Sequence, residues 1–366
     1  MTSGDDRHDV PVSDPHESAP APTRRAVTLS VSMVAAAGLV AAATLVPLPY
    51  VVQGPGPTID VLGEDNGQRL ITVEGAHAGT GELRLTTVSL AGSPTQSLHL
   101  GQVLAGWVNP DKQVLPVEQV FTTDRTKEEI DADNEAAMIS SQEYATVAAL
   151  EELGQEVPTT LTAVGVVPGT GADGVVAEGD VLTTLDGAAL TSFSDLSARL
   201  GATPPGTVVQ VGMIRGGEAV TASITTGDDG DGGSILGVYI DPEFHLPVPV
   251  TIQIDKVGGP SAGMMFALGI IDLLTPEDEA NGVVIAGTGT IDLTGEVGPI
   301  GGIALKMIGA VDDGATWFIA PRDNCDDVTG RVPDALEVVA VGTLSEARAA
   351  MVAIGAGTAQ DLPTCG

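Results

Sequence analysis

The sequence predicts a mixed α/β protein, with helices packed on a sheet, behind one N-terminal apolar segment long enough to cross a membrane. Strand-like alternation runs through residues 68–90, and further strands are expected in the C-terminal part from Val238–Ile240 onward, with glycine turns between the runs. Helical periodicity separates these strands, and it covers residues 126–153, 262–274, 303–311 and 344–354. A compact unit of strands and one helix, residues 157–227, lies between the two strand-rich regions. A chain of 366 residues is long enough for this division into several domains.

Composition limits the classes of function. Glycine (47) and proline (24) are frequent and aromatic residues make up 3%, so the core must consist mainly of Val, Leu, Ile, Ala and Met. The formal net charge is −34, and no basic patch follows the extreme N-terminus. Such a surface repels phosphate backbones, so we expect no nucleic-acid partner.

The N-terminal region has the pattern of a membrane anchor. Residues 1–25 are polar and end in Arg24-Arg25, whereas residues 26–48 carry no charge. Because the arginines precede the apolar run, the positive-inside rule places the tail 1–25 in the cytoplasm and the rest of the chain outside. The alternative is a signal peptide, cleaved near Ala41-Ala42-Ala43. Both interpretations export the bulk of the protein.

The chain has two cysteines, Cys325 and Cys365, both near the C-terminus. Without a CxxC motif or clustered histidines they make a poor metal site, so no metal is expected. In an exported domain we expect a disulfide that ties down the C-terminal tail, and two unpaired thiols are the alternative.

A candidate nucleophile lies in the sequence Gly258-Gly259-Pro260-Ser261-Ala262-Gly263. The glycines permit a tight turn, and Ser261 follows at the start of an apolar helix. Backbone N–H groups at a helix start suit a developing oxyanion, so Gly259, Pro260 and Ala262 are the expected turn and oxyanion residues. The alternative is an ordinary helix cap, in which Ser261 bonds those N–H groups.

A candidate base, Lys306, lies in the middle of an apolar helix. Only four lysines occur in the chain, Lys112, Lys127, Lys256 and Lys306, and burial can leave a lysine neutral where an arginine would stay charged. A neutral amine can take the proton of a serine hydroxyl. The alternatives are a solvated surface lysine at 306, or Lys256 as the base.

Residues 157–227 resemble the PDZ domains of bacterial proteases. The resemblance rests on a strand, Leu161–Val167, a Gly179-Asp180 to Asp186-Gly187 run, a helix over Phe193–Leu200 and two closing strands. It implies a unit that binds extended chain ends by adding a strand to its sheet. A structural spacer with a blocked groove is the alternative.

The stretch 250–322 resembles the proteolytic domain of the Lon family. That family has a D-G-P-S-A-G turn and a P-I-G-G-(apolar)-K-E-K helix, which here match Gly258–Gly263 and Pro299–Lys306, with a spacing of 45 positions from Ser261 to Lys306. The run from Gly287 to Val297 matches a third family motif. The resemblance implies a Ser261–Lys306 dyad with Thr288 bonded to the lysine.

Upstream, Gly81–Val88 and Met138–Leu150 resemble the family's opening G-x-L-x-L-T-G strand and its M-x-x-S helix. The PDZ-like unit is then an insertion, with residues 49–156 and 228–366 as the two parts of one proteolytic domain. The whole layout resembles the YlbL-type membrane-anchored PDZ proteases of bacteria. This implies a single-pass protein of the cell membrane with its catalytic and PDZ domains outside, and Lon-like domains imply a homo-hexamer.

The sequence also departs from the Lon pattern. Gly258 stands where the family has an acidic residue, Ala304 replaces the first family lysine, and no P-loop motif occurs. We therefore expect an ATP-independent serine endopeptidase that needs no cofactor and acts on exported or membrane-associated proteins. The alternatives are a non-catalytic PDZ-type scaffold with a relict protease fold, and an exported esterase.

Overall fold

The computed structural model describes residues 23–65, 67–121, 127–230, 232–254 and 257–365. The predicted tail, 1–25, therefore lies almost wholly outside the described residues. The part of the chain before the middle unit forms these elements: α1 (Arg24–Leu45), β1 (Pro47–Leu48), β2 (Tyr50–Asp60), β3 (Glu64–Asp65), β4 (Gln68–Arg69), β5 (Ile71–Val73), β6 (Glu82–Ala91), β7 (Leu98–His99), α2 (Leu100–Val108), β8 (Gln113–Pro116), α3 (Val117–Val120) and α4 (Lys127–Glu152).

Two further groups of elements complete the chain. The middle unit contains β9 (Thr159–Val166), β10 (Val181–Leu185), β11 (Ala188–Ala189), α5 (Phe193–Gly201), β12 (Val208–Arg215), β13 (Glu218–Thr225), β14 (Gly227–Asp228), β15 (Ser234–Ile235) and β16 (Val238–Phe244). The C-terminal part contains β17 (Val250–Ile252), α6 (Gly263–Leu274), β18 (Val284–Gly287), β19 (Thr290–Ile291), β20 (Val297–Gly298), α7 (Ile303–Asp312), β21 (Trp317–Pro321), α8 (Cys325–Val328), β22 (Glu337–Val341) and α9 (Leu344–Gly355).

One mixed sheet unites the two ends of the chain. Its strand order is β22-β21-β18-β6-β2-β8. Strands β18, β21 and β22 come after the middle unit, whereas β2, β6 and β8 come before it, and β18 joins the halves by parallel pairing with β6 from Glu82 to Leu85. In chain order the middle unit therefore lies between two groups of strands that share one sheet.

The main core surrounds α6. Every residue from Gly263 to Leu273 on this helix is buried, because apolar residues occupy all of its sides and each face must be covered. The one charged residue among them, Asp272, accepts hydrogen bonds from the backbone N–H groups of Glu279 and Ala280. Helices α4 and α9 and strands β5 and β6 provide that cover. Small side chains on α4, at Ala145, Ala148 and Ala149, let it approach closely. The start of α6 is thus fixed from several directions.

The inserted unit has its own core and a sheet in the order β13-β12-β10-β9-β16. The predicted unit, 157–227, stops before β16, and the sequence analysis assigns Val238–Ile240 to the C-terminal part. In the structure this strand belongs to the insert's sheet, because Val238 to Phe244 pair antiparallel with Val166 to Thr159. The predicted helix over Phe193–Leu200 is confirmed as α5.

By length and composition, α1 is the one helix in the described ranges apt to cross a membrane, and a signal sequence would pass the same test. Its large apolar side chains, such as Leu29 and Met33, are exposed. The helix ends at Leu45, earlier than the predicted limit of 48. Pro47 cannot continue a helix, and Pro47-Leu48 instead pair with Leu98-His99.

The structure pairs Cys325 with Cys365 in a disulfide, with 4.8 Å between the Cα atoms. Cys365 is buried in the cluster that includes Phe318 and Val338, so the bond holds the C-terminal tail against β21 and β22. The described residues contain no group of three or more His, Cys, Asp and Glu side chains that could hold a metal ion.

We predict that replacing both Cys325 and Cys365 by serine lowers the free energy of unfolding by about 2–4 kcal/mol, because the bond closes a loop of 40 residues. Urea unfolding of the full chain, followed by the hydrogen exchange of the β22 backbone amides, measures the loss. Dithiothreitol should have the same effect on the wild type and none on the double variant. Equal stability of the wild type with and without reductant would contradict the prediction.

Candidate active site

The turn before α6 is held by α4. Gly259 adopts a φ of +87°, which is open to glycine and strained for other residues. Its N–H donates to the carbonyl of Asn134 over 3.1 Å. The hydroxyl of Ser141, which is 3% exposed, donates to the carbonyl of Pro260 over 3.0 Å. Two hydrogen bonds from one helix therefore fix the backbone on the N-terminal side of Ser261.

Ser261 lies two residues before α6, as the sequence predicts, and Ala262 is the N-cap residue. A Cβ at Gly263 would approach both the Ser141 Oγ and the Ile291 Cγ2 to 2.8 Å, so the helix start packs too closely for a larger residue. Within the described ranges, the backbone N–H groups of Ser261 and Ala262 donate to no protein acceptor. These two donors are free for a substrate oxygen.

The expected oxyanion role of Gly259 needs correction. Its N–H is occupied by the Asn134 carbonyl, so Gly259 shapes the turn and does not offer a donor. Pro260 has no N–H and contributes only its fixed φ and the carbonyl bonded by Ser141.

Lys306 extends from α7 to Ser261. Gly302 caps the start of this helix with a φ of +72°, and the neighbours Leu305 and Met307 are buried. The Lys306 side chain is 4% exposed, and its Nζ lies 2.9 Å from the Ser261 Oγ. The same Nζ lies 2.8 Å from the Thr288 Oγ1. The three side chains that the Lon resemblance singled out are thus in contact.

Thr288 joins the lysine to the turn. It follows β18 directly, is 0% exposed, and its hydroxyl donates to the Ser261 carbonyl over 2.9 Å. A hydroxyl has one proton, and that of Thr288 is used in this bond, so its oxygen can only accept a hydrogen bond from Lys306. The Gly289 N–H donates to the same carbonyl over 2.9 Å. The orientation of the amine and that of the serine backbone are therefore set by the same residue.

Burial lowers the pKa of Lys306 from 10.5 to about 8, because the ammonium loses its hydration. Among the described side chains, no carboxylate pairs with it, so nothing restores the charge. An amine of this kind is neutral in part near physiological pH and can act as a base. The rival base, Lys256, lies outside the described residues.

A cleft with a volume of about 440 Å³ opens over the dyad. One wall comes from β2 and β6 and the other from the turn and α7, and the lining residues include Pro57, Leu85, Thr87, Val88, Val257, Gly258, Ser261 and Lys306. The hydroxyl of Thr86, in the same lining, donates to the Gly287 carbonyl and so fixes β6 beside β18. The mixed apolar and polar lining suits an extended peptide.

Sequence reasoning missed Ser141 and Asn134. The M-x-x-S pattern at Met138 carried a signal for Ser141, but no role followed from the pattern alone. Asn134 acts through its backbone carbonyl, which every residue type has, so the sequence cannot indicate this contact. The Cys325–Cys365 disulfide packs in a different core cluster from Ala262, the residue after Ser261, and neither cysteine lines the cleft.

Comparison with known proteins gives one family match, since residues 230–352 match the Lon protease (S16) C-terminal proteolytic domain. Lon protease 1 of Bacillus subtilis is 34% identical over 114 residues, which is 29% of this chain and 14% of that protein. Lon protease 1 of Sorangium cellulosum is 40% identical over 112 residues, which is 30% of this chain and 13% of that protein. The chain thus spans less than a fifth of the length of these relatives.

Comparison with solved structures gives matches that each cover about a fifth of this chain. The PDZ domain of the SdrC-like protein of Listeria monocytogenes is 22% identical, covers 22% of this chain and 86% of that chain, and has a TM-score of 0.21. The corresponding domain of Listeria innocua is also 22% identical, covers 22% of this chain and 92% of that chain, and has the same TM-score of 0.21.

The family match includes the turn, Thr288 and Lys306, and it agrees with the fold and with the contact between the three side chains. Residues 230–352 of this chain are thus similar in sequence to the Lon protease (S16) C-terminal proteolytic domain.

Proposed function

We propose that the chain is a serine endopeptidase with a Ser261–Lys306 dyad. The observation that carries the proposal is the 2.9 Å contact between the Lys306 Nζ and the Ser261 Oγ, made by an amine whose pKa burial has lowered to about 8. A helix cap or a solvated lysine would need neither this contact nor this burial. The S16 match supports the same reaction class.

The dyad acts in two proton transfers. The Ser261 hydroxyl donates to neutral Lys306 and loses its proton to that amine as the oxygen attacks the scissile carbonyl. The N–H groups of Ser261 and Ala262 stabilise the resulting oxyanion. The Lys306 ammonium then gives its proton to the leaving amine, and a water molecule hydrolyses the acyl-enzyme by the same steps. Thr288 accepts from the amine throughout and holds its lone pair toward Ser261.

We also propose that these residues cleave without ATP hydrolysis in the same chain. None of the 366 residues forms a G-x-x-x-x-G-K-[ST] motif. Substrates would then be unfolded segments, because cleavage alone supplies no force to pull a folded chain apart.

The proposed location is the outer face of a bacterial cell membrane, with α1 as the anchor and the N-terminus in the cytoplasm. The exposed apolar surface of α1, the arginines at its start and the Cys325–Cys365 disulfide support this location. The inserted unit would bind substrate chain ends or control access. The domain limits 49–156 and 228–366, with β16 moved to the insert, and the homo-hexamer stay predictions.

Removing either member of the dyad should abolish cleavage. Ser261→Ala and Lys306→Ala are each expected to lower kcat/KM on unfolded casein by at least about 10³-fold, since nucleophile and base act as one unit. The double variant should be no slower than either single variant. Thermal unfolding must show that both variants fold. A folded variant with full activity would contradict the dyad, and peptide binding without turnover by the wild type would favour the scaffold alternative.

The activity should rise with pH through about 8 and then level off, because Lys306 must be neutral to accept the proton and its pKa is about 8. A kcat/KM profile with a peptide that lacks titratable side chains measures this. Circular dichroism across the same range is the control for folding. A profile that is flat from pH 6 to 9 would contradict a base with this pKa.

Stability provides a second readout of the same amine. Between about pH 8 and 10.5 the unfolded chain holds the Lys306 proton and the folded chain does not, so stability rises with pH across that window. Lys306→Met should therefore be more stable than the wild type at neutral pH, by a margin that shrinks as pH rises through the window. Urea unfolding at several pH values tests the sign.

Ser141→Ala should lower kcat by about tenfold with a smaller change in KM, because the Pro260 carbonyl loses its buried hydrogen bond and the nucleophile turn loosens. The pH midpoint should stay at that of the wild type, since Lys306 is untouched. Ser140→Ala, on the same helix, is the matched control. Equal effects of the two substitutions would show that Ser141 has no positioning role.

A further inference from the structure

The end of α1 is joined to a second apolar helix, α2. The two helices are in contact, and a Cβ on Gly101 of α2 would lie 3.3 Å from the Ala43 carbonyl oxygen in the last turn of α1. The Leu100 N–H donates over 3.3 Å to the carbonyl of Val46, which follows α1. Strand β1, also after α1, pairs with β7, which precedes α2. Helix α2 therefore begins at the end of α1 where the proposed anchor leaves the membrane.

One side of α2 packs on the main sheet. A Cβ on Gly106 would lie 2.9 Å from the Val114 Cγ2 and 3.1 Å from the Val52 Cγ2, so glycine lets the helix backbone rest directly on β8 and β2. Val103, almost one turn earlier, is buried on the same side. The position of α2 relative to the sheet is therefore fixed by close packing.

The other side of α2 is an exposed apolar face. Leu104, Trp107 and Val108 have the spacing i, i+3, i+4, which places them together, and they are 45%, 59% and 82% exposed. Gly101, three residues before Leu104, extends this face to the end of α1. These four residues are called the α2 stripe below. Most of its area is uncovered in the described part of the chain, and exposed apolar surface of this kind marks a contact with a partner or a membrane.

The α2 stripe carries an aromatic pair. Trp107 packs edge-on against Tyr50, with 6.1 Å between the ring centroids and 70° between the ring planes. The chain has only two tryptophans and three tyrosines, so this pair is a large share of both. Both residue types are enriched where a membrane meets water, because the ring is apolar and its N–H or O–H group stays hydrated. Their meeting beside the end of α1 favours lipid as the partner of this face.

Charged residues avoid the strands and the helix at this end of the protein. No Asp, Glu, Lys or Arg occurs in residues 26–59 or 85–110, although the chain has 49 acidic residues and a net charge of −34. Strands β2 and β6 pair and so bring these two stretches together. The first charged residues after α2 are Asp111 and Lys112, beyond its C-terminal turn. A charged side chain held in a lipid interface would lose hydration, so this pattern suits a surface that faces lipid.

We propose that the α2 stripe, backed by Tyr50, lies in the outer interface of the bilayer that α1 spans. The proposal rests on the proposed membrane location of α1 and does not depend on cleavage. A helix in this position buries its apolar face about 5–10 Å into the boundary between headgroups and acyl chains. Helix α2, with nine residues, is about 14 Å long and would lie there with Val103 and Gly106 toward the sheet.

A second copy of the chain is the other candidate occupant of this face. Lipid is favoured because Gly101 joins the stripe to the last turn of α1, so the bilayer that covers one helix also reaches the other. The large apolar side chains of α1, such as Leu29 and Met33, are exposed in the same way as those of the stripe. One partner, the bilayer, then accounts for both exposed surfaces.

This contact would hold the cleft over Ser261 near the membrane. Strand β2 begins at Tyr50, and Pro57, seven residues later on the same strand, lines the cleft. Seven residues of extended strand span at most about 24 Å. Since α2 packs on β2, lipid contact at the stripe also limits rotation of the cleft about the connection after α1. If the proposed protease function holds, the chains within reach are those held in the same membrane or leaving it.

The test measures the depth of Trp107 by fluorescence quenching. The full-length chain with Trp317→Phe, in which Trp107 is the only tryptophan, is placed in phosphatidylcholine vesicles with bromine near the top of the acyl chains, near their methyl ends, or absent. Bromine quenches tryptophan only at short range. Trp107→Phe is the matched control, because Trp317 is level with Leu83 across β18, about 26 Å along β6 from Ala91 at the α1 end.

The Trp107 emission is expected to fall about twofold with shallow bromine and less with deep bromine, as an interfacial depth requires. Trp317 in the Trp107→Phe chain should not respond. Adding Leu104→Glu and Val108→Glu should remove the quenching, because carboxylates keep the stripe in water. Val208→Glu, at an exposed apolar position of the insert, should leave the quenching unchanged. If Trp317→Phe does not fold, the difference between the wild type and Trp107→Phe gives the same signal.

A further chain separates the stripe from the anchor. It carries Met33→Trp together with Trp107→Phe and Trp317→Phe, so its only tryptophan lies on α1. Quenching of this chain by deep bromine, without quenching of Trp107, would overturn the inference and leave the anchor standing. Absence of quenching in both chains would overturn the proposed location as well. A Trp107 that is unquenched at every ratio of lipid to protein, with cross-links between two copies at Val108, would assign the face to a second copy and also overturn the inference.

Discussion

The site depends on one amine that is kept out of water without a counter-charge. An ammonium on a flexible stem is strongly hydrated, and a nearby carboxylate would preserve its charge even when buried. Lys306 has apolar neighbours on its own helix and two hydroxyls at its nitrogen, so desolvation is opposed by no anion. The fold therefore accepts an unfavourable burial at the position where the proposed reaction needs a neutral base. Local instability of this kind is common where chemistry needs a shifted pKa.

The supporting residues divide the task of orientation. Helix α4 fixes the backbone before Ser261, through Asn134 and Ser141, while Thr288 and Gly289 fix the Ser261 carbonyl. These groups come from the two parts of the chain on either side of the insert. A nucleophile held by packed elements stays within a few tenths of an ångström of its working position, which a flexible loop alone cannot ensure.

The sequence was sufficient to predict the start of α6, because a glycine-rich turn followed by a mostly apolar helix has a strong local signature. The contacts of Lys306 with Ser261 and Thr288 were expected from the resemblance to the Lon family, and their role as a catalytic dyad stays a proposal. The C-terminal family match and the mixed sheet agree with the fold so predicted. It was insufficient for β16, since alternation identifies a strand but not its partner across a linker. It also failed for the Gly259 N–H and the Asn134 carbonyl, because backbone hydrogen bonds between distant segments do not depend on residue type. Helix α2, which includes Trp107, was missed because its glycines weaken the helical pattern.

The parallel pairing of β6 with β18 limits the order in which a newly made chain can fold. Glu82 pairs with Val284, so the central sheet cannot close until about 200 further residues have been synthesised. The insert, with a core of its own, can fold during that delay, whereas the serine and the lysine meet only when the last third of the chain has arrived. In a chain that is still being made, the contact between Lys306 and Ser261 on which the proposed cleavage depends is therefore absent until residue 306 has been added.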